Sequence, residues 1–195
     1  QEASPNLARV VAAKQQGTKI ICCFGKILCD LAVPYDGGPA HTDIADWLNH
    51  TIDVVKDNPD ILLLIKPHPH ELRTEIALDL VEFLRDVVPA ILPDNVIFLD
   101  HKEFNVAEMA NLLDLAVLWN GTSSLELAIM GVPVMMCGYF GRHDYPVELI
   151  YPESRSQYAD YLCSLHYAKP SSEVGRRAAA LLHYMGTTDV ALPNR

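Results

Sequence analysis

The chain has 195 residues, half of them apolar, and a formal net charge of −10. Such a length suits one domain with a substantial core, and the apolar fraction excludes a disordered chain. The acidic balance excludes general nucleic-acid binding, which needs a concentrated basic surface, but it allows a small anionic ligand held by a few local cations.

No apolar run nears the ~20 residues that span a bilayer, and the first residues lack a basic stretch followed by an apolar one, so the segment reads as soluble. The cysteines, Cys22, Cys23, Cys29, Cys137 and Cys163, are odd in number, and three lie in apolar strand-like runs. They read as small buried hydrophobes of a reducing compartment. A Cys22/Cys23/Cys29 metal site is disfavoured, because adjacent strand residues point to opposite faces.

In chain order, Leu7, Val10 and Val11 fall at helical spacing between Pro5 and Gln16, and Gly17 closes the segment. Residues 1–17 read as a lead-in or linker helix, and 18–195 as a single domain. Thr18 to Phe24 is a β-branched and Cys run, the mark of a strand covered on both faces. Gly25-Lys26 follows, then an irregular stretch to His41 with Pro34, Asp36, Gly37, Gly38 and Pro39, long enough to suggest a functional loop. Thr42 or Asp43 caps a helix whose Ile44, Trp47, Leu48, Ile52 and Val55 share one face.

Ile61 to Ile65 is a second buried strand. It ends in Lys66-Pro67-His68-Pro69-His70-Glu71, where two prolines forbid further ladder pairing. The spacing predicts a helix from Thr74 to Val87, a strand from Val96 to Leu99 with the exit Asp100-His101-Lys102-Glu103, and a helix from Val106 to Leu113. Asp114 to Cys137 then reads as strand, polar turn (Asn120 to Ser124), short apolar helix, Gly131 and strand. Gly138 to Pro146 is an aromatic, Gly-punctuated loop, and helices at about 156–165 and 171–184 finish the chain. Strands alternating with helices predict an α/β, Rossmann-like, doubly wound parallel sheet with helices on both faces.

In such a sheet ligands bind outside the carboxyl ends of the strands. The strand exits gather Lys26, Lys66, His68, His70, His101, Arg142 and His143 on one rim. His68, between two prolines, suits a phosphate donor or general acid, and Lys66 a phosphate clamp. Thr122, Ser123 and Ser124 open a helix, where unpaired N–H groups favour an anion; an ordinary N-cap is the plain alternative. Glu126, in the first turn of that helix, suits the vicinal hydroxyls of a ribose. Zinc held by His68, His70, His101 and His143 is disfavoured, since neither a helical His pair with a carboxylate nor a Cys ligand at metal spacing accompanies them.

The pattern Gly121-x-x-Ser124-x-Glu126-x-Ala128-x-x-Gly131-x-Pro133 resembles the donor-nucleotide segment of the C-terminal Rossmann domain in GT-B fold glycosyltransferases. Lys66-Pro67-His68-Pro69 resembles the His-Pro motif of bacterial capsule polysaccharide biosynthesis proteins, such as Kdo transferases, and of sialyltransferase-like and teichoic-acid glycerophosphate transferases. The resemblance covers about 18–162. It implies His68 on the donor phosphate, as the catalytic group that stabilises the leaving phosphate. Lys66, Thr122, Ser123, Ser124 and Arg142 join it there, with Glu126 on the ribose, Asp100 and His101 near the base, and Gly25, Lys26 and Gly121 in the Gly-rich loops.

The implied reaction is sugar transfer from a nucleotide-activated donor to a polysaccharide or glycolipid, with CMP or CDP favoured over UDP. Neither metal nor cofactor is implied. GT-B enzymes pair two Rossmann-like halves and this chain holds one, so a fragment is expected: a donor-binding half that binds nucleotide, is inactive in isolation and partners an N-terminal half. The full enzyme would be cytoplasmic, with peripheral association at the inner face of the membrane open to it, and no nucleic-acid partner is implied. Alternatives are a nucleotide-sugar epimerase-like domain and a non-catalytic Rossmann-like binding or interaction module.

Overall fold

The structure, a computed structural model, describes residues 4–28, 36–72, 84–139, 145, 147–164 and 166–187. Five strands, β1 (Lys19–Phe24), β2 (Ile61–Lys66), β3 (Val96–Phe98), β4 (Leu115–Leu118) and β5 (Val134–Met136), form one sheet in the order β3-β2-β1-β4-β5, every pair parallel. The helices are α1 (Pro5–Gln15), α2 (Ile44–Val55), α3 (Val106–Ala110), α4 (Ser123–Ile129), α5 (Arg155–Leu162) and α6 (Ser172–Thr187), with 3-10 turns at Pro69–Leu72 and Leu84–Val87.

Residue parity divides the core. Ile20, Cys22, Leu62, Leu64, Ala116 and Leu118 face one way, toward Val10 of α1, Met109 of α3, Leu125 of α4 and Ala178 of α6. Ile21, Cys23, Leu63, Ile65, Leu115 and Val117 face the other way, toward α2 and α5. This is the doubly wound α/β arrangement expected of uninterrupted apolar strands, which need cover on both sides. Cys22 and Cys23 accordingly lie in opposite layers, and α1 contributes Val10 to the core.

Asp43 caps α2 by accepting the Asp46 N–H at 2.8 Å, and the five expected apolar positions of that helix are buried together with Thr51. Where a helix to Leu113 is expected, α3 ends at Ala110. Asp114 draws the chain out of it, donating its N–H to Ile20 at 2.8 Å while its carboxylate accepts the Ile20 N–H at 2.9 Å. Of the helix expected over 74–87, the described part is the single turn Leu84–Val87, and the remainder lies outside the described residues.

Between α2 and α5, His41 Nε2 lies 2.8 Å from His50 Nδ1, and its ring meets Tyr158 edge-on at 4.6 Å. Burial, then the neighbouring His50, lowers the His41 pKa from 6.5 to about 4, with Asp46 opposing and Arg155 reinforcing the shift. The depressed value means that this histidine favours the fold fully above pH 6.5, and that the contribution is lost as pH falls through about 4. Discounted for solvent screening, the loss is about 2 kcal/mol. Urea unfolding across this range should show the acid decline, reduced in His41→Gln.

Candidate functional site

β1 sits centrally, with β2 and β3 on one side and β4 and β5 on the other, so the connections part at the β1/β4 boundary. An open parallel sheet leaves a crevice at the carboxyl end of such a switch point. Phe24 is in register with both Lys66 and Leu118, which brings three strand exits level. A cleft of about 960 Å³ opens there, walled by the exits of β1, β2, β3 and β4 and by Tyr145.

The β2 exit carries the charge. Lys66 ends the strand with its side chain mostly buried and its Nζ donating to the Glu103 carbonyl at 2.6 Å. Burial lowers its pKa, opposed by Cys22 and Glu103. Glu103 is itself tied down: its carboxylate accepts from Ser4 Oγ, from Asn6 Nδ2 and from the Asp100 N–H. Burial alone would raise the pKa of that carboxyl, but these hydrogen bonds outweigh it and hold it below the usual range.

His68 follows Pro67, and its Nδ1 accepts the His70 N–H at 3.1 Å. An imidazole nitrogen that accepts carries no proton, so the ring proton of neutral His68 sits on Nε2.

At the β4 exit, Gly121 turns the chain at φ +126, a conformation that L side chains rarely adopt. Thr122 precedes α4 without a side-chain capping bond. Ser124 is fully buried, and its Oγ donates back to the Gly121 carbonyl at 2.7 Å.

Of the residues proposed from sequence, Gly25, Lys26, Lys66, His68, His101, Gly121, Thr122 and Ser123 line the cleft. Ser124 faces into its own turn, and Glu126 lies farther along α4, half-buried and off the cleft wall. Asp100 is exposed, its carboxylate accepting the Lys102 N–H at 2.9 Å. Arg142 and His143 lie outside the described residues. Among the described residues, no three His, Cys, Asp or Glu side chains are grouped to hold a metal ion.

Three buried polar residues on this rim escape the sequence-based assignment. Glu71 meets His101. Asp36 accepts from Asn120 Nδ2 at 2.7 Å and from the Tyr139 N–H at 2.8 Å, joining the loop after β1 to the exits of β4 and β5. Asn120 lines the cleft, and because its amide nitrogen must face the carboxylate, its orientation is fixed. The signal for Asp36 was the Asp36-Gly37-Gly38 run, whose acid looks like an ordinary turn residue until its partners 84 and 103 residues away are known.

No family model and no curated protein matches the chain. Solved structures do. UDP-GlcNAc 2-epimerase from Neisseria meningitidis aligns with a TM-score of 0.51 at 12% identity, over 94% of this chain and 48% of that one. A point variant of the wall teichoic acid polymerase TagF aligns with a TM-score of 0.50 at 12% identity, over 93% and 43%. The KpsC beta Kdo 2,4 transferase from Thermosulfurimonas dismutans aligns at 0.48 and 13% identity, over 91% and 56%. The chain spans about half the length of these proteins. With its strand order and its exits on one crevice, the chain has the fold of one Rossmann-like half of a GT-B protein.

Proposed function

We propose that this domain binds the nucleotide of an activated sugar donor and that the protein containing it is a glycosyltransferase. The observation that carries the reading is the cleft at the switch point, where an acidic chain concentrates Lys26, Lys66, His68, His70, His101 and Lys102. Cations and N–H or O–H donors on a rigid rim suit a phosphate ester, and the same groups would stabilise the charge developing on a leaving phosphate. His68 through Nε2 and Lys66 through Nζ are the groups assigned to that charge, with Thr122 and Ser123 on the facing wall.

The His-Pro motif favours a CMP- or CDP-activated donor over UDP, and a polysaccharide or glycolipid acceptor of capsule or cell-surface synthesis. The catalytic base and the acceptor site are assigned to a second half. A sugar-nucleotide epimerase is the second reading, favoured by the likeness in fold to the 2-epimerase.

Calorimetric titration of the domain with CMP, CDP and UDP tests the proposal. CDP is expected to bind with a Kd in the micromolar to millimolar range, tighter than UDP. Binding of none of the three would overturn the nucleotide reading. Preference for UDP, with interconversion of a UDP-sugar by the full-length protein in the absence of acceptor, would favour the epimerase.

A further inference from the structure

Glu71 is a buried ionisable group beside the cleft that the proposed function leaves unused. Its side chain is 1% exposed, on the Pro69–Leu72 turn just beyond His68, and its Oε2 lies 2.8 Å from His101 Nε2. His101, from the β3 exit, lines the cleft with 18% of its side chain exposed. Nε2 is committed to Glu71, so Nδ1 is the nitrogen left for a ligand. His68 is held the opposite way, with Nδ1 accepting the His70 N–H.

The chemistry of the pair follows from counting protons. With one proton between Oε2 and Nε2, Nδ1 is a bare acceptor. A second proton makes Nδ1 a donor wherever the inner one sits, either as carboxylate with imidazolium or as carboxylic acid with the other neutral tautomer. We propose that Glu71 and His101 are a proton-loading pair, in which Glu71 positions the ring and entry of a phosphate anion adds one solvent proton, turning Nδ1 into a donor to a phosphate oxygen. The proposal rests on the reading that the ligand carries phosphate.

The surroundings favour loading. Burial raises the Glu71 pKa against the pull of His101, and Asp86, on the Leu84–Val87 turn, raises it further. A buried carboxylate gains most from a nearby cation. The other ionisable groups lining the cleft among the described residues are Lys26 after β1, Lys66 at the end of β2 with His68 and His70 beyond it, Lys102 and Glu108 after β3, and Tyr145.

Nitrogen-detected imidazole NMR of the ligand-free domain reads the pair directly. His101 is expected to carry its proton on Nε2 at high pH, and Glu71→Leu, which removes the acceptor, should let the Nδ1 and Nε2 tautomers mix. An unchanged Nε2 tautomer in a folded Glu71→Leu would overturn the positioning role. Calorimetry with inorganic pyrophosphate and with CDP, in two buffers of different ionisation enthalpy, should show proton uptake that is lost in His101→Gln. Binding without proton uptake, or uptake unchanged in His101→Gln, overturns the loading step and leaves the nucleotide reading standing. Failure of both ligands to bind overturns the loading step and the nucleotide reading together.

Discussion

His68→Asn is expected to leave the domain folded and to weaken CDP binding roughly 30-fold, the equivalent of about 2 kcal/mol for one hydrogen bond to a charged oxygen. The substitution separates the two nitrogens. The Asn amide oxygen stands where Nδ1 stands and can still accept the His70 N–H, which preserves the turn between the prolines. Nothing then replaces Nε2–H. His68→Gln does the reverse, placing an amide N–H near the Nε2 position, and should recover most of the affinity. Lys66→Met, which keeps the buried stem and removes the ammonium, should cost a similar factor and flatten the dependence of Kd on salt. Equal CDP affinity in wild type and His68→Asn would remove His68 from the site.

Gly138→Ala is expected to cost about 3 kcal/mol of unfolding free energy in urea, a large share of what a domain of this size has. A Cβ there would stand 2.5 Å from Asp36 Oδ2 and 2.8 Å from the Trp119 carbonyl, and the backbone carbonyl has little room to withdraw. Moving Asp36 instead strands the buried Asn120 amide, which would lose its charged acceptor, and leaves the Tyr139 N–H to the Gly37 carbonyl alone. Gly186 is the control: it lies in α6 with open space around it, and Gly186→Ala should raise stability by about 0.5 kcal/mol through helix propensity. A Gly138→Ala protein as stable as wild type would show that the Asp36 junction yields without cost.

How much of this was legible in the sequence depended on the range of the interaction. β1, β2 and β4 were visible because a strand buried on both faces must be apolar at every position, and α2 because its one-sided contacts repeat every three or four residues. The rim was visible because a parallel sheet puts its strand exits at one edge. Glu71, beside His68 in sequence, looked like one more polar loop residue, and only the fold shows it buried against a histidine 30 positions away. Sequence does not tell whether a hydroxyl faces outward or back onto its own turn, and only the fold shows Ser124 Oγ donating to the Gly121 carbonyl. Glu126 sits in the first turn of α4, as expected, half-buried and outside the cleft lining.

Glu103 gives the rim a mechanical property. Its carbonyl steadies the Lys66 ammonium, while its carboxylate grips Ser4 and Asn6 at the start of α1 and the backbone of Asp100. One residue therefore gears the position of a cleft cation to the first turn of a helix that packs against β1. A pull on that turn shifts the carbonyl, and with it the charge a ligand meets, without any part of α1 entering the cleft.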